Sequence, residues 1–547
     1  MNEPRETNPL VPGELKWVSW LAACVMIATC VTLVVGYAGA EKGMTFLGFP
    51  FNVADSMVYL SWMRQSADGN FFIKNLFTSE AQKGNGFNLL FLVLGLIARI
   101  FKLPLIVVYQ VSRIVLGFIF LLATYRFLCL FARGHYERRL AIILICLSSG
   151  LGWFFAVVLR MDIPRIGSPD LWQPEAITFT SLYWSPLFCF ALLLMVAVLY
   201  NLLRFTCENQ WKYIIPAGLA LGLLANVHTY DVLTLGIAWF VYCIYKLRTH
   251  EGIFQSIIGG LASAVIAAPL IAYQVYFYFG EPIFRARVAT ATISPSIGWV
   301  LAGFGFLVPL AIFGMVTAMR EGRDVSLLVC WAAGGIVGAY LPVPFQRKLV
   351  MGTHIPICIL AAIGIHAILR RVRPPVRMVA SVIIVMLLVP TNILKLGWDM
   401  RDIRRNLDSA TGLAYYVSAA QLGCIASLRN HAHANDIILA PPQMSTLIPG
   451  LAGRQVFCGH WGECPDAPRK TQEAFYFFST EASDSERKEF LRKERIAFVV
   501  EDHTWVYANM PLADFRCDPP DFLVPIFCGE DVNAYRVSMK TQFVDAN

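Results

Sequence analysis

Charge is scarce in this chain. Only 15% of its 547 residues are Asp, Glu, Lys or Arg, while 57% are hydrophobic, and soluble proteins carry about a quarter of charged residues. That shortage excludes an ordinary soluble protein. No internal repeat is evident, none of the 14 cysteines forms a CxxC pair or a CxxCH haem signature, and no basic patch accompanies the net charge of +8. Zinc-ribbon, haem-attachment and nucleic-acid readings have no footing.

What the chain has instead is long apolar runs. Eleven of them, near 17–39, 105–131, 139–159, 183–203, 213–227, 229–246, 254–279, 297–318, 325–344, 349–369 and 377–397, approach the roughly 20 residues a helix needs to cross a bilayer. The expected class is mainly α, a polytopic membrane helix bundle of eleven spans.

With the N-terminus inside, the inner loops hold Arg133, Arg138, Arg139, Arg204, Lys212, Lys246, Arg248, Arg320, Arg323, Arg370, Arg371, Arg373 and Arg377. The outer loops are poorer in cations, which fixes this orientation by the positive-inside rule. The segment FNLLFLVLGLIARIFKL, 87–103, is apolar only until Arg99 and Lys102. It reads as a surface-lying helix whose cations snorkel to the headgroups; were it to span, the loop before it would turn cytoplasmic.

Three blocks follow: a membrane bundle, 1–398, with a first outer loop at 40–104; a charged hinge, WDMRDIRRN; and a small C-terminal extracytoplasmic α/β domain, 399–547. In the last block LDSATGLAYYVSAAQLGCIASLRNHA has helical spacing, DIILAPP and RQVFCGHW read as strands, and SDSERKEFLRKERIAFVVEDH as a capped helix and a strand. Cys458 with Cys464 and Cys517 with Cys528 are spaced to close short disulfide loops in an oxidising compartment. The nine cysteines in or beside the apolar runs read as small buried hydrophobes. Acids at Glu3, Glu6 and Glu14 before a long first helix read as a retained anchor, not a cleaved signal.

Chemistry is sought in the outer loops, where ordered acids and bases need a reason. FNVADSMVYLSWMRQ, 51–65, sets Asp55 at the head of a helix with Tyr59 and Trp62 on its face; the ordinary role for such an Asp is the helix N-cap. RMDIPRIGSPDLWQPEAITFTSLYWSP, 160–186, brings Asp170, Glu175 and Trp172, able to hold a hard cation or orient an acceptor, or simply to be solvated beside an aromatic belt. ANVHTYDVL, 225–233, holds His228 and Asp231 in an almost loopless turn, as a functional pair or a junction cap. EPIFRARVATATISPS and VPFQRKLVMGTH supply Arg285, Arg287, Arg347, Lys348 and His354 on the cation-poor side, where a phosphate or anionic lipid headgroups account for them.

An outer Asp just after the first span, a surface helix before the second, a second acidic loop after the third and a C-terminal soluble domain together resemble the GT-C integral-membrane glycosyltransferases. DIILAPPQMSTLIPGLAGRQVFCGHWGECPD, 436–466, looks like the outer domain of bacterial members. The resemblance implies sugar transfer from a polyprenyl-phosphate-linked donor to a glycan, lipid or protein acceptor at the outer face of the plasma membrane, with inversion. It implies Asp55 as general base, with Asp170 and Glu175 as further catalytic acids. Arg285, Arg287, Arg347 and Lys348 would bind the donor phosphate, and Tyr59, Trp62, Trp172, His228, Asp231 and His354 would line the pocket. The DxD or ExD spacing of some relatives is absent, so a divalent cation, Mg or Mn on Asp55 and Asp170, stays an open expectation. The rival is a transporter or flippase for a lipid-linked or anionic substrate.

Overall fold

The computed structural model describes residues 12–162, 167–504, 512–516 and 519–538, so Glu3, Glu6 and Cys517 lie outside the described residues. Six of the predicted runs fall on helices long and apolar enough to cross a membrane: Gly13–Ala38, Leu105–Leu128, Pro186–Glu208, Tyr230–Thr249, Ile253–Gly280 and Gln346–Leu369. Two more fall on bent helix pairs, Ile297–Phe304 with Leu307–Arg320 at 76° and Pro374–Leu387 with Pro390–Arg404 at 44°, for eight spans if each pair crosses as one. The chain is an integral membrane protein.

Three of the eleven runs are shorter or broken as helices. Trp211–Val227 and Ser326–Gly338 fall short of a full span. The run at 139–159 ends its α-helix at Leu147 and resumes only as a π-helical turn, Phe154–Val158. Past the break the amides find partners outside the helix: Ser149 N–H donates to the Leu388 carbonyl at 2.6 Å, Leu151 N–H to the Ala302 carbonyl at 2.9 Å, and the N–H groups of Gly150 and Gly152 to Asp170 Oδ2 at 3.0 Å each.

Contacts divide the chain into two compact units. The first takes the described residues up to Thr32, Tyr109–Tyr276 and Ala289–Arg401. Its helices pack closely where side chains vanish: a Cβ on Gly314 would lie 1.9 Å from the Leu360 carbonyl oxygen of the Gln346–Leu369 helix, so only glycine permits this approach.

The second unit takes Leu33–Val108, Phe277–Val288 and the described residues from Asp402 on. It holds strands β1 (Met44–Phe46), β2 (Tyr416–Ser418), β3 (Ile437–Leu439), β4 (Gln455–Val456), β5 (Ile496–Asp502), β6 (Leu523–Cys528) and β7 (Val532–Val537). β1 and β2 pair antiparallel, Phe46 opposite Tyr416. The other five form a mixed sheet in the order β4-β3-β5-β7-β6, parallel across β4, β3 and β5 and antiparallel beyond. Its core gathers Leu439, Phe457, Phe477, Leu491, Val499 and Tyr535.

The predicted helix from Leu407 begins later, at Ala419. Ser418 and Gln421 form a capping box there, which leaves Tyr416–Ser418 free to pair as a strand. The capped helix Asp484–Lys493 follows its sequence signal, with Ser483 and Glu486 closing a second box. In the 40–104 segment, Val53–Ala67 and Leu89–Phe101 are helices, joined by Tyr59 stacked on Phe91 at 5.3 Å. Leu89–Phe101 has 13 residues, about 20 Å of helix against roughly 30 Å of hydrocarbon. Val93, Leu96, Ile100 and Phe101 stand exposed along it, the pattern of a helix lying on a membrane surface.

Candidate active site

Asp55 is not the cap of its helix. Asn52 holds that position, in the left-handed region at φ 49°, and its side chain accepts from Asp55 N. Asp55 stands three residues into the helix, and its carboxylate accepts from the cap residue's side chain. Asn52 Nδ2 donates to Asp55 Oδ2 at 2.7 Å, and His460 approaches Oδ1 at 3.0 Å. A third of the Asp55 side chain remains exposed.

The imidazole's tautomer follows from its other nitrogen. Gly462 N–H donates to His460 Nδ1 at 3.0 Å, so Nδ1 is unprotonated and the hydrogen sits on Nε2, which donates to Asp55. His460 stands in the turn after β4, where Cys464 N returns to the His460 carbonyl at 2.9 Å. Gly459 admits this turn: a Cβ there would lie 2.4 Å from the Ser445 carbonyl oxygen. Phe77 meets the imidazole edge-on at 6.0 Å, and Trp461 stacks on it at 5.8 Å.

The same turn holds Arg287, whose guanidinium pairs with Glu463 Oε1 at 2.8 Å and lies over Trp62 at 5.6 Å, while Asn75 Nδ2 donates to the Glu463 carbonyl at 2.8 Å. Arg285 bonds the Phe279 carbonyl and faces solvent. Tyr59 is buried against Phe91 and serves packing.

The first unit carries the other expected residues. Arg347 lies over Trp172 at 5.1 Å and Lys348 over Tyr230 at 4.3 Å. Gln173 Nε2 donates to the Arg347 carbonyl at 2.7 Å, and Arg347 Nε is buried with no hydrogen-bond partner among the described residues. Tyr230 in turn meets His228 edge-on at 5.8 Å, and His228 Nδ1 lies 2.9 Å from Asp231 Oδ2, a fully buried carboxylate. Aromatic faces and cations thus alternate along one cluster.

Three expected residues of this unit turn inward. His354 is buried, its Nδ1 3.0 Å from Thr178 Oγ1 and its Nε2 3.2 Å from Ser148 Oγ, so it joins core elements instead of lining a pocket. Glu175 is 8% exposed. Asp170 is 1% exposed, and besides the two glycine amides it accepts from Ser168 Oγ at 2.5 Å. Burial pushes its carboxyl up to about 6 against the pull of the Ser168, Thr391, Gly152 and Gly150 donors.

Asp170, buried and enclosed by N–H and O–H donors, offers a hard cation little access, while Asp55 keeps part of its carboxylate exposed beside the Asn52 and His460 donors. Among the described residues, the three-ligand group Glu501, His503 and Asp514 includes neither acid. Cys458 and Cys464 carry unbridged thiols that touch each other, so the expected loop is closed by contact, not by a disulfide.

No protein-family model matches the chain, and no curated protein does. Solved structures do. The arabinofuranosyltransferase AftD from Mycobacteria matches 97% of this chain at a TM-score of 0.53 and 14% identity, with this chain spanning 40% of AftD. The chain has the GT-C fold. ArnT from Cupriavidus metallidurans matches 94% of this chain and 97% of its own at 13% identity and a TM-score of 0.49. The oligosaccharyltransferase of Archaeoglobus fulgidus matches 89% of this chain and 69% of its own at 11% identity and a TM-score of 0.49.

Sequence reading missed His460, Asn52 and Glu463. A signal existed for two of them: GHWGE sets a titratable ring and an indole between two glycines, with an acid directly after.

Proposed function

We propose that the protein is a membrane glycosyltransferase that moves a sugar from a polyprenyl-phosphate-linked donor to an acceptor hydroxyl on the extracytoplasmic face. The observation that carries this reading is the Asp55 carboxylate, partly open and oriented by Asn52 and His460. In this reading Asp55 takes the proton of the acceptor hydroxyl. The acceptor oxygen forms its bond to the anomeric carbon as the carbon–oxygen bond to the phosphate breaks, and the phosphate leaves with the electron pair. Attack opposite the leaving group inverts the anomeric carbon.

Arg347 and Lys348 supply the cations for the leaving phosphate, and the unpartnered Arg347 Nε is the donor best suited to it. No step is routed through a metal. The test is transfer of labelled sugar from polyprenyl-phosphate donors in membranes bearing the protein. Loss of transfer in Asp55→Asn is expected; transfer at the wild-type rate would remove Asp55 as base.

A transporter or flippase draws on the two bent spans, since broken helices mark many transport folds. Movement of a labelled polyprenyl-phosphate sugar across sealed vesicles without any transferred product would favour it.

A further inference from the structure

Beside His460 lies a cavity of about 570 Å³, within the range of ligand clefts, roughly 300–1,000 Å³. Ala54, the neighbour of Asp55, forms part of its wall, as do His460 and Trp461 from the turn after β4. Thr471, Gln472 and Phe475, from the Ala467–Phe478 helix, also line it. Its chemistry is unusual for an outer domain so rich in ion pairs. No Asp, Glu, Lys or Arg lines it.

Trp461 is 59% exposed yet held in place, because its ring stacks on the buried imidazole with 26° between planes. A fixed indole face presents a negative π surface to which the C–H face of a sugar ring is complementary. Hydroxyl and amide groups at Thr471 and Gln472 offer hydrogen bonds to sugar hydroxyls. An anionic acceptor would find no cation in this lining. A charged one of either sign would lose hydration without recompense.

His460 joins this cavity to Asp55, since one ring both lines the wall and donates to the carboxylate. We infer that the cavity is the acceptor subsite and that its occupant is an uncharged sugar, the end of a glycan; this rests on the glycosyl-transfer reading. Trp461 is the stacking platform, and His460 is a positioning residue that holds the Asp55 carboxylate beside the cavity wall.

The test is binding to the purified full-length protein in nanodiscs, followed by saturation-transfer NMR. The probes are mannotriose and xylotriose as neutral glycans, mannose 6-phosphate as an anionic sugar and triglycine as a peptide. Saturable binding of at least one trisaccharide is expected, weakened about tenfold or more in Trp461→Ala and held within about threefold in Trp461→Phe. No saturable trisaccharide binding, equal binding by Trp461→Ala at an unchanged melting temperature, or preference for mannose 6-phosphate or triglycine would overturn the inference.

Binding needs no turnover, so the two readings fail separately. Trisaccharide binding without transfer from any polyprenyl donor would keep a sugar site and remove the transferase. Transfer that depends on Asp55, without trisaccharide binding, would keep the transferase and remove this subsite.

Discussion

Asp170 is 1% exposed and accepts from Gly150, Gly152 and Ser168, whereas Asp55 keeps a third of its side chain open beside the Asn52 amide and the His460 imidazole. Both are acids in outer loops of the sequence. Their surroundings divide the labour: donors that enclose Asp170 tie two loop segments together and end a helix, while donors that flank Asp55 aim it and leave it accessible. Enclosure makes a clamp, and partial support makes a candidate base.

The largest break in this comparison is expected from Asp170→Ala. It strands two buried glycine amides and a serine hydroxyl, a loss of about 3–5 kcal/mol. Thermal unfolding of the detergent-solubilised protein should show it, or folded yield should collapse. Asp55→Ala should leave the melting temperature within about 2 °C, as expected at a partly exposed position.

Next comes His460→Ala, which removes the donor on Asp55 Oδ1 and one cavity wall. Transfer should fall by about 10- to 100-fold, and His460→Gln, which keeps an N–H donor, should restore part of it. Equal loss in both variants would point to packing instead of orientation.

Arg347→Ala should raise KM for the lipid-linked donor about tenfold with a smaller change in kcat, by loss of a charge-assisted bond. Arg287→Ala should change KM less, because Glu463 already neutralises that cation. Steady-state kinetics with a water-soluble donor analogue separates the two.

The smallest effect is a pH slope. Asp170 is raised in the folded protein to about 6, so folding favours its protonated form. That contribution is fully present below about pH 4, is lost as pH rises through about 6, and amounts to roughly 3 kcal/mol at most. Wild-type stability minus that of Asp170→Asn should fall with pH across that window and stay level above it.

Much of the helical frame was legible, because hydrocarbon demands long apolar runs and leaves few other solutions. The strand at Ile496–Asp502 and its capped helix were equally plain, being local signals. The helix break at Ser148–Gly152 was not, since its amides are taken by Asp170 twenty residues on and by the distant Leu388 and Ala302 carbonyls. Nor was the grouping of Leu33–Val108 with the C-terminal residues, which rests on long-range pairs such as Phe46 with Tyr416. Asp55 itself was legible as an acid at a helix start. Its rival role was decided only by Asn52, three residues earlier, taking the cap. His460 lies 405 residues from Asp55 in the chain, and no period or spacing links them.

The most direct measurement is sugar transfer per folded protein for Asp55→Asn and Asp170→Asn, assayed together with the same polyprenyl-phosphate donor. The account predicts that Asp55→Asn melts like the wild type and loses transfer by about a thousandfold or more. Asp170→Asn should melt earlier and retain transfer in the fraction that folds. Full transfer by Asp55→Asn, or selective loss of transfer by a stably folded Asp170→Asn, would contradict it.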